Sequence, residues 1–113
     1  MTYLVDTNIL IYYFNGSLSS TAEKNISKIL KNSFIISVIS KMEFLGFDKF
    51  KIKEKLKAAQ FLSYANVIPL KDDIVDYVIQ IRQNKKIKLP DAIIAATAIL
   101  ENLILVTRNV EDF

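Results

Sequence analysis

The sequence predicts an α/β fold: a central parallel sheet of four short strands with helices on both faces. Three observations predict it. Short apolar runs of strand length recur at Tyr3 to Val5, Phe34 to Ile36, Val67 to Leu70 and Leu103 to Val106. Segments with helical periodicity separate them, and a parallel sheet needs such crossovers between its strands. Phe34, Ile35 and Ile36 are continuously apolar, the pattern of a strand covered on both faces. At 113 residues, 51% of them apolar and only four Gly or Pro, the chain reads as a single domain, 1–113, without linker or repeat. A domain of that size buries roughly two-thirds of the surface its unfolded chain exposes.

Taken in order, Tyr3 to Val5 is the first strand and runs into Asp6, Thr7 and Asn8 before an apolar helix, Ile9 to Phe14. Asn15-Gly16-Ser17 turns the chain, and Ser19-Ser20-Thr21 offers caps for an amphipathic helix to about Leu30, with Ala22, Ile26, Ile29 and Leu30 inward. After the second strand a helix spans Val38 to Phe47, with Ile39, Met42, Leu45, Gly46 and Phe47 as its apolar set. Lysine then occupies every odd position from 49 to 57, which on a helix spreads charge around a solvated surface, and this helix runs to about Tyr64. Beyond the third strand, Asp72 and Asp73 open a helix through Val75, Val78, Ile79 and Ile81, which the basic turn Asn84 to Lys88 ends. Leu89-Pro90-Asp91 opens the next helix, with Pro where it is welcome, and no charge follows until Glu101, so that helix is buried on most sides. The fourth strand ends at Val106, and Thr107 to Phe113 follows just past its tip.

Composition excludes several chemistries. With no Cys there are no disulfides, thiolate zinc sites or cysteine nucleophiles. With no His there is no imidazole base, so hydrolysis must rest on carboxylates, hydroxyls, Lys, Tyr or an oxygen-bound metal. No uncharged run reaches the roughly 20 residues of a membrane span, and the N-terminus shows no signal peptide, so a soluble, cytoplasmic protein with no membrane partner is expected. A formal charge of +3 permits a nucleic-acid partner without arguing for one.

Three acids stand beside core. Asp6 ends a strand, Glu43 lies four residues from both Ile39 and Phe47 on or beside an inward stripe, and Asp91 opens an uncharged helix. In open α/β sheets the carboxyl ends of strands line the ligand crevice. Equally, Asp6 or Thr7 reads only as a cap of the following helix. Glu43 reads also as a side chain snorkelling to the helix edge, and Asp91 as an acid complementing a helix dipole. Asp72 and Asp73 read as first-turn acids, and Asp112 as an exposed one. Converging carboxylates need a cation, either a basic side chain such as Arg108 or a metal. An all-oxygen site suits Mg²⁺ or Mn²⁺, which lowers the pKa of bound water and polarises a phosphoryl oxygen.

Four motifs in order, VDTNIL at Val5 to Leu10, SVISKMEFLGF at Ser37 to Phe47, LPDAIIAATAI at Leu89 to Ile99 and LVTRNVEDF at Leu105 to Phe113, resemble those of the PIN-domain ribonucleases. The resemblance is nearest to the short VapC-type toxins of toxin–antitoxin pairs, and it covers the chain from end to end. It implies a PIN-like three-layer sandwich with four strands, or five where relatives continue past the DF that ends this chain. It further implies that Asp6, Glu43 and Asp91 bind Mg²⁺ or Mn²⁺ for cleavage of RNA, with Thr107 lining the site. Asn109 falls where many members carry a fourth acid, a departure that favours one metal over two; it and Asp112 are further candidates. The implied partners are an RNA substrate, steered by Lys41, Arg108 and the Lys85-Lys86-Lys88 turn, a cognate antitoxin and a second copy of the chain as a homodimer. Two other readings stand beside this one. The chain is then a catalytically silent nucleic-acid-binding or protein-interaction module, or a phosphoryl-transfer protein with Asp6 as nucleophile, for which Asn8 replaces the second acid such enzymes want.

Overall fold

The computed structural model describes residues 2–107, along which four strands are separated by three pairs of helices. The order is β1 (Tyr3–Val5), α1 (Thr7–Phe14), α2 (Ser20–Asn32), β2 (Ile35–Ser37), α3 (Val38–Leu45), α4 (Ile52–Leu62), β3 (Asn66–Ile68), α5 (Asp72–Asn84), α6 (Leu89–Leu100) and β4 (Ile104–Val106). Every expected element is present, with ends displaced by a few residues. Asp6, Ser19 and Ser37 each accept a backbone N–H of the helix they precede, at Ile9, Ala22 and Ile39, so these polar side chains set the starts of α1, α2 and α3. Asp6 as cap brings α1 two residues earlier than the apolar run alone indicates.

The pairing is parallel: β1 with β4 (Val5 opposite Val106) and β2 with β3 (Ser37 opposite Ile68). β1 also lies against β2, but no hydrogen-bonded ladder joins them. The described residues therefore form two two-stranded ladders in place of the continuous four-stranded sheet expected, and include no fifth strand. Strands of three residues offer few bonds per edge, so side-chain packing rather than a continuous ladder holds the two pairs together.

That packing has two sides, and the strands divide their side chains between them with the period of two a pleated strand imposes. Val5, Ile36, Val67 and Val106 pack with α1, α2, α3 and α4. Leu4, Ile35, Ile68 and Leu105 pack with Ile94 and Ala98 of α6, and α5 packs on α6 in turn. The helices thus cover both faces, as a three-layer arrangement requires. On the first side an aromatic cluster fills the space: Phe44 stands edge-on to Phe14 and Phe50, with centroids 5.5 and 5.3 Å apart.

Phe44, fully buried, corrects the expected face of α3. The inward residues are Ser40 and Phe44, with Ile39 and Phe47 beside them, whereas Met42 and Leu45 point to solvent at 57% and 39% exposure. The sequence reading went astray because the helix buries a small polar residue, Ser40, that a hydrophobic pattern passes over. Gly46 ends the helix where a Cβ would stand 2.7 Å from the Met42 carbonyl oxygen. The lysines from 49 to 57 are all exposed as expected, but α4 starts at Ile52, so Lys49 and Lys51 precede it.

The connection from α6 to β4 decides where Asp91 lies. The Leu103 N–H donates to the Ala98 carbonyl at 2.8 Å and that of Asn102 to the Ile99 carbonyl at 3.2 Å, while Asn102 adopts φ 55°. This is a Schellman end with Asn in the left-handed position, and it reverses the chain within three residues. Because β4 runs parallel to β1, its start lies at the opposite edge from Asp6, and so does the end of α6. The start of α6, with Asp91, therefore lies toward the edge where the strands finish. At the far edge Lys71 pairs with Glu101, joining the start of α5 to the end of α6. No described helix is long and apolar enough to cross a membrane.

The face assignment is tested by two truncations. Phe44→Ala is expected to cost about 3–5 kcal/mol in urea unfolding, the range for deleting a buried aromatic ring, while Met42→Ala changes stability by no more than about 0.5 kcal/mol.

Candidate active site

The parallel ladder continues one residue past β1: the Asp6 N–H donates to the Val106 carbonyl at 3.1 Å. That bond delivers the Asp6 side chain to the point where β1 and β4 both end. The residue is only 4% exposed. Its Oδ1 accepts the Ile9 N–H at 2.9 Å, and its Oδ2 accepts the hydroxyl of Thr107. One oxygen of the carboxylate thus caps α1 while the other meets Thr107. Burial pushes the Asp6 carboxyl above its ordinary value, against the smaller downward pull of Thr107 and of the Ile9 and Asn8 N–H groups.

Glu43 reaches the same region from α3. Its residue is exposed on the flank of the helix, and its Oε1 lies 2.6 Å from Thr7 Oγ1. Thr7 Oγ1 lies 3.0 Å from Ser40 Oγ, and both hydroxyl residues are buried. A hydroxyl has one proton, and an ionised carboxylate can only accept. Thr7 therefore donates to Glu43 and accepts from Ser40. Glu43 is both edge-lying, as a snorkelling acid would be, and anchored by a buried pair.

Asp91, half-buried, is the third residue of α6, behind Leu89 and Pro90. α6 packs on α3 and on β4, the elements that carry Glu43 and lead to Thr107. The structure thus joins Asp6 directly to Thr107, and Glu43 to the residue next to Asp6, and sets Asp91 at the same edge. It does not gather three carboxylates closely enough to hold a metal among the described residues. Carboxylates repel one another, and Asp6 and Glu43 each accept a neighbouring hydroxyl instead. Lys41, Lys85, Lys86 and Lys88 are exposed. Arg108, Asn109 and Asp112 lie outside the described residues.

The donor chemistry fits a hard cation. The groups at this edge are carboxylate and hydroxyl oxygens in a chain without His or Cys, a set suited to Mg²⁺ or Mn²⁺. A neighbouring cation would also offset the desolvation that burial imposes on Asp6. Sequence reasoning missed Thr7 and Ser40. The signal was present in the polar Ser40, three residues before Glu43 in an apolar helix, and in a hydroxyl directly after Asp6.

A model of the PIN domain matches residues 3–113. The chain belongs to the PIN-domain family. Among curated proteins this PIN domain is similar to ribonuclease VapC2 of Rickettsia felis, 33% identical over all of this chain and 90% of that protein. Among solved structures it is similar to a chain of a toxin–antitoxin complex from Klebsiella pneumoniae, at 39% identity and TM-score 0.81, covering 99% of this chain and 90% of that one. A second, VapBC2 from Rickettsia felis bound to a DNA fragment from its promoter, matches at 30% identity and TM-score 0.81, covering 100% and 91%. The narrower resemblance to VapC-type proteins read from the four motifs agrees with these relatives.

The raised pKa of Asp6 has a measurable consequence. Between the ordinary value of 3.8 and the raised folded value, the folded PIN domain holds a proton that the unfolded chain has released, so stability falls as pH rises through that window. In chelator, Asp6→Asn is therefore expected to melt at a higher temperature than wild type at pH 7, with the difference closing toward pH 4. A variant less stable than wild type at pH 7 would show that the carboxylate stabilises the fold.

Proposed function

We propose that this PIN domain is a metal-dependent endoribonuclease, the toxin of a toxin–antitoxin pair, cutting RNA phosphodiester bonds. The observation that carries the reading is the buried Asp6 carboxylate at the end of β1, with Oδ2 held by Thr107 and Glu43 anchored alongside through Thr7. The name of the Rickettsia ribonuclease VapC2, aligned over the whole chain, supports the activity class.

Asp6, Glu43 and Asp91 would hold Mg²⁺ or Mn²⁺, with Asn109 and Asp112 as further candidates. When bound, the cation would lower the pKa of a water and offset charge on the phosphoryl group, chemistry that a His-free chain otherwise lacks. The protein's own groups act by placement. Thr107 fixes the direction of Asp6 Oδ2, and the Ile9 N–H holds Oδ1 in its cap. The Ser40–Thr7 pair occupies Glu43 Oε1, which leaves Oε2 to a ligand. The first turn of α6 turns a positive helix end toward the anionic substrate. Lys41 on α3 and the exposed Lys85, Lys86 and Lys88 would steer RNA by charge, an effect that weakens with salt.

The same acidic groups attract Arg or Lys as readily as metal. That suits inhibition by an antitoxin whose basic side chain stands in for the cation, and the similarity to chains from toxin–antitoxin and VapBC complexes supports such a partner. Pairing into a homodimer belongs to the same proposal.

The decisive assay is cleavage of RNA with Mn²⁺ or Mg²⁺, with and without chelator, by wild type and Asp6→Asn. Cleavage is expected to require the ion and to fall at least 100-fold in the variant. Equal cleavage under all conditions would mean that the activity is a contaminant or that the site is misassigned. Calorimetric titration with Mn²⁺ supplies the independent readout, with micromolar binding expected in wild type and lost in Asp91→Ala.

A further inference from the structure

A cavity of about 420 Å³ opens between α1 and the connection from α3 to α4. One wall is a stripe of α1 residues one and two turns apart: Asn8, Tyr12 and Asn15. The other includes Phe47, Lys49 and Glu54. Both walls begin close in sequence to the candidate site residues. Asn8 is two residues beyond Asp6, and Phe47 lies just past α3, four positions after Glu43.

The lining is polar where a ligand edge would meet it and aromatic where a ligand face would. Asn8 is exposed, and no other described residue bonds its side-chain amide, so it offers both donor and acceptor. Asn15 Oδ1 accepts the N–H and the hydroxyl of Ser17, which orients its amide and leaves the NH₂ as donor. Glu54 Oε1 accepts the Lys51 N–H at 2.8 Å, and its second oxygen remains an acceptor. Phe47 is held by Phe50, with centroids 4.9 Å apart, and is thereby fixed as a wall. Lys49 supplies the cation.

Unpaired RNA bases are recognised by this combination, with aromatic side chains on the base face, amides and carboxylates on its edge, and a cation on the adjoining phosphate. We propose that this groove binds the base of an unpaired RNA nucleotide flanking the scissile phosphate, and so sets sequence preference. The Glu54 acceptor favours a base with an exocyclic amine, adenine, cytosine or guanine, over uracil. The inference rests on the ribonuclease reading for the identity of its ligand, but its test does not need cleavage.

The test is binding of fluorescein-labelled hexamers of A, C and U to the full chain in EDTA, followed by fluorescence anisotropy. Wild type is expected to bind A or C hexamers at least five-fold tighter than U. Asn8→Ala, a change at an exposed helix position, reduces that ratio toward one. Glu54→Gln, which keeps the cap acceptor, reduces it as well, while Lys49→Ala weakens all three hexamers by a similar factor. Equal binding of the three by wild type, no binding, or an unchanged ratio in Asn8→Ala and Glu54→Gln overturns the proposal, as would follow if the groove takes a polypeptide segment. Discriminating binding without metal-dependent cleavage would sink the nuclease reading alone. Asp6-dependent cleavage with indifferent binding would sink the groove alone.

Discussion

The hydrogen bonds around the Asp6 carboxylate are the constraint on which the rest of this PIN domain depends. One oxygen starts α1 and the other receives Thr107 from beyond β4, so a single side chain ties together a strand end, a helix start and a residue 101 positions away. The parallel register of β1 and β4 makes this possible, because only strands finishing at one edge bring positions 6 and 107 together. Burying a carboxylate costs free energy unless it is bonded, and among the described residues Asp6 is held by hydrogen bonds from Ile9 and Thr107. A site that holds an acid in this state is prepared to gain from a cation.

The helices deliver the other acids by separate devices. A buried hydroxyl pair holds Glu43 from below, and a three-residue reversal at Asn102 sends α6 back so that Asp91 lies toward the same edge. The aromatic cluster around Phe44 supports the first device, since it fixes α3 against α1 and with it the distance from Thr7 to Glu43. Sequence, fold and candidate chemistry meet in these two devices, both made of short polar residues in apolar surroundings.

How much of this was legible in the sequence follows from the same residues. Strand and helix identities were readable because apolar runs and caps are local, and Ser19, Ser37 and Pro90 all stand at helix starts. The burial of Asp6 was readable because a charge beside core is conspicuous in a chain with few such placements. The inward face of α3 was not, because Ser40 occupies a core position and Met42 and Leu45 do not, which hydrophobicity alone assigns the other way. The gap in the ladder between β1 and β2 was also illegible, since backbone pairing of three-residue strands depends on their exact placement and leaves no trace in composition. Thr7 could have been found, but only by asking what holds an edge-lying Glu43 in place.

The central claim is that Asp6, Glu43 and Asp91 form one metal site at the edge where β1 and β4 end. Anomalous diffraction at the manganese edge, from crystals of the protein grown with Mn²⁺, tests it most directly. The account predicts an anomalous peak within coordination distance of carboxylate oxygens from Asp6 and at least one of Glu43 and Asp91. A peak elsewhere on the protein, or none at this edge under saturating Mn²⁺, would contradict it.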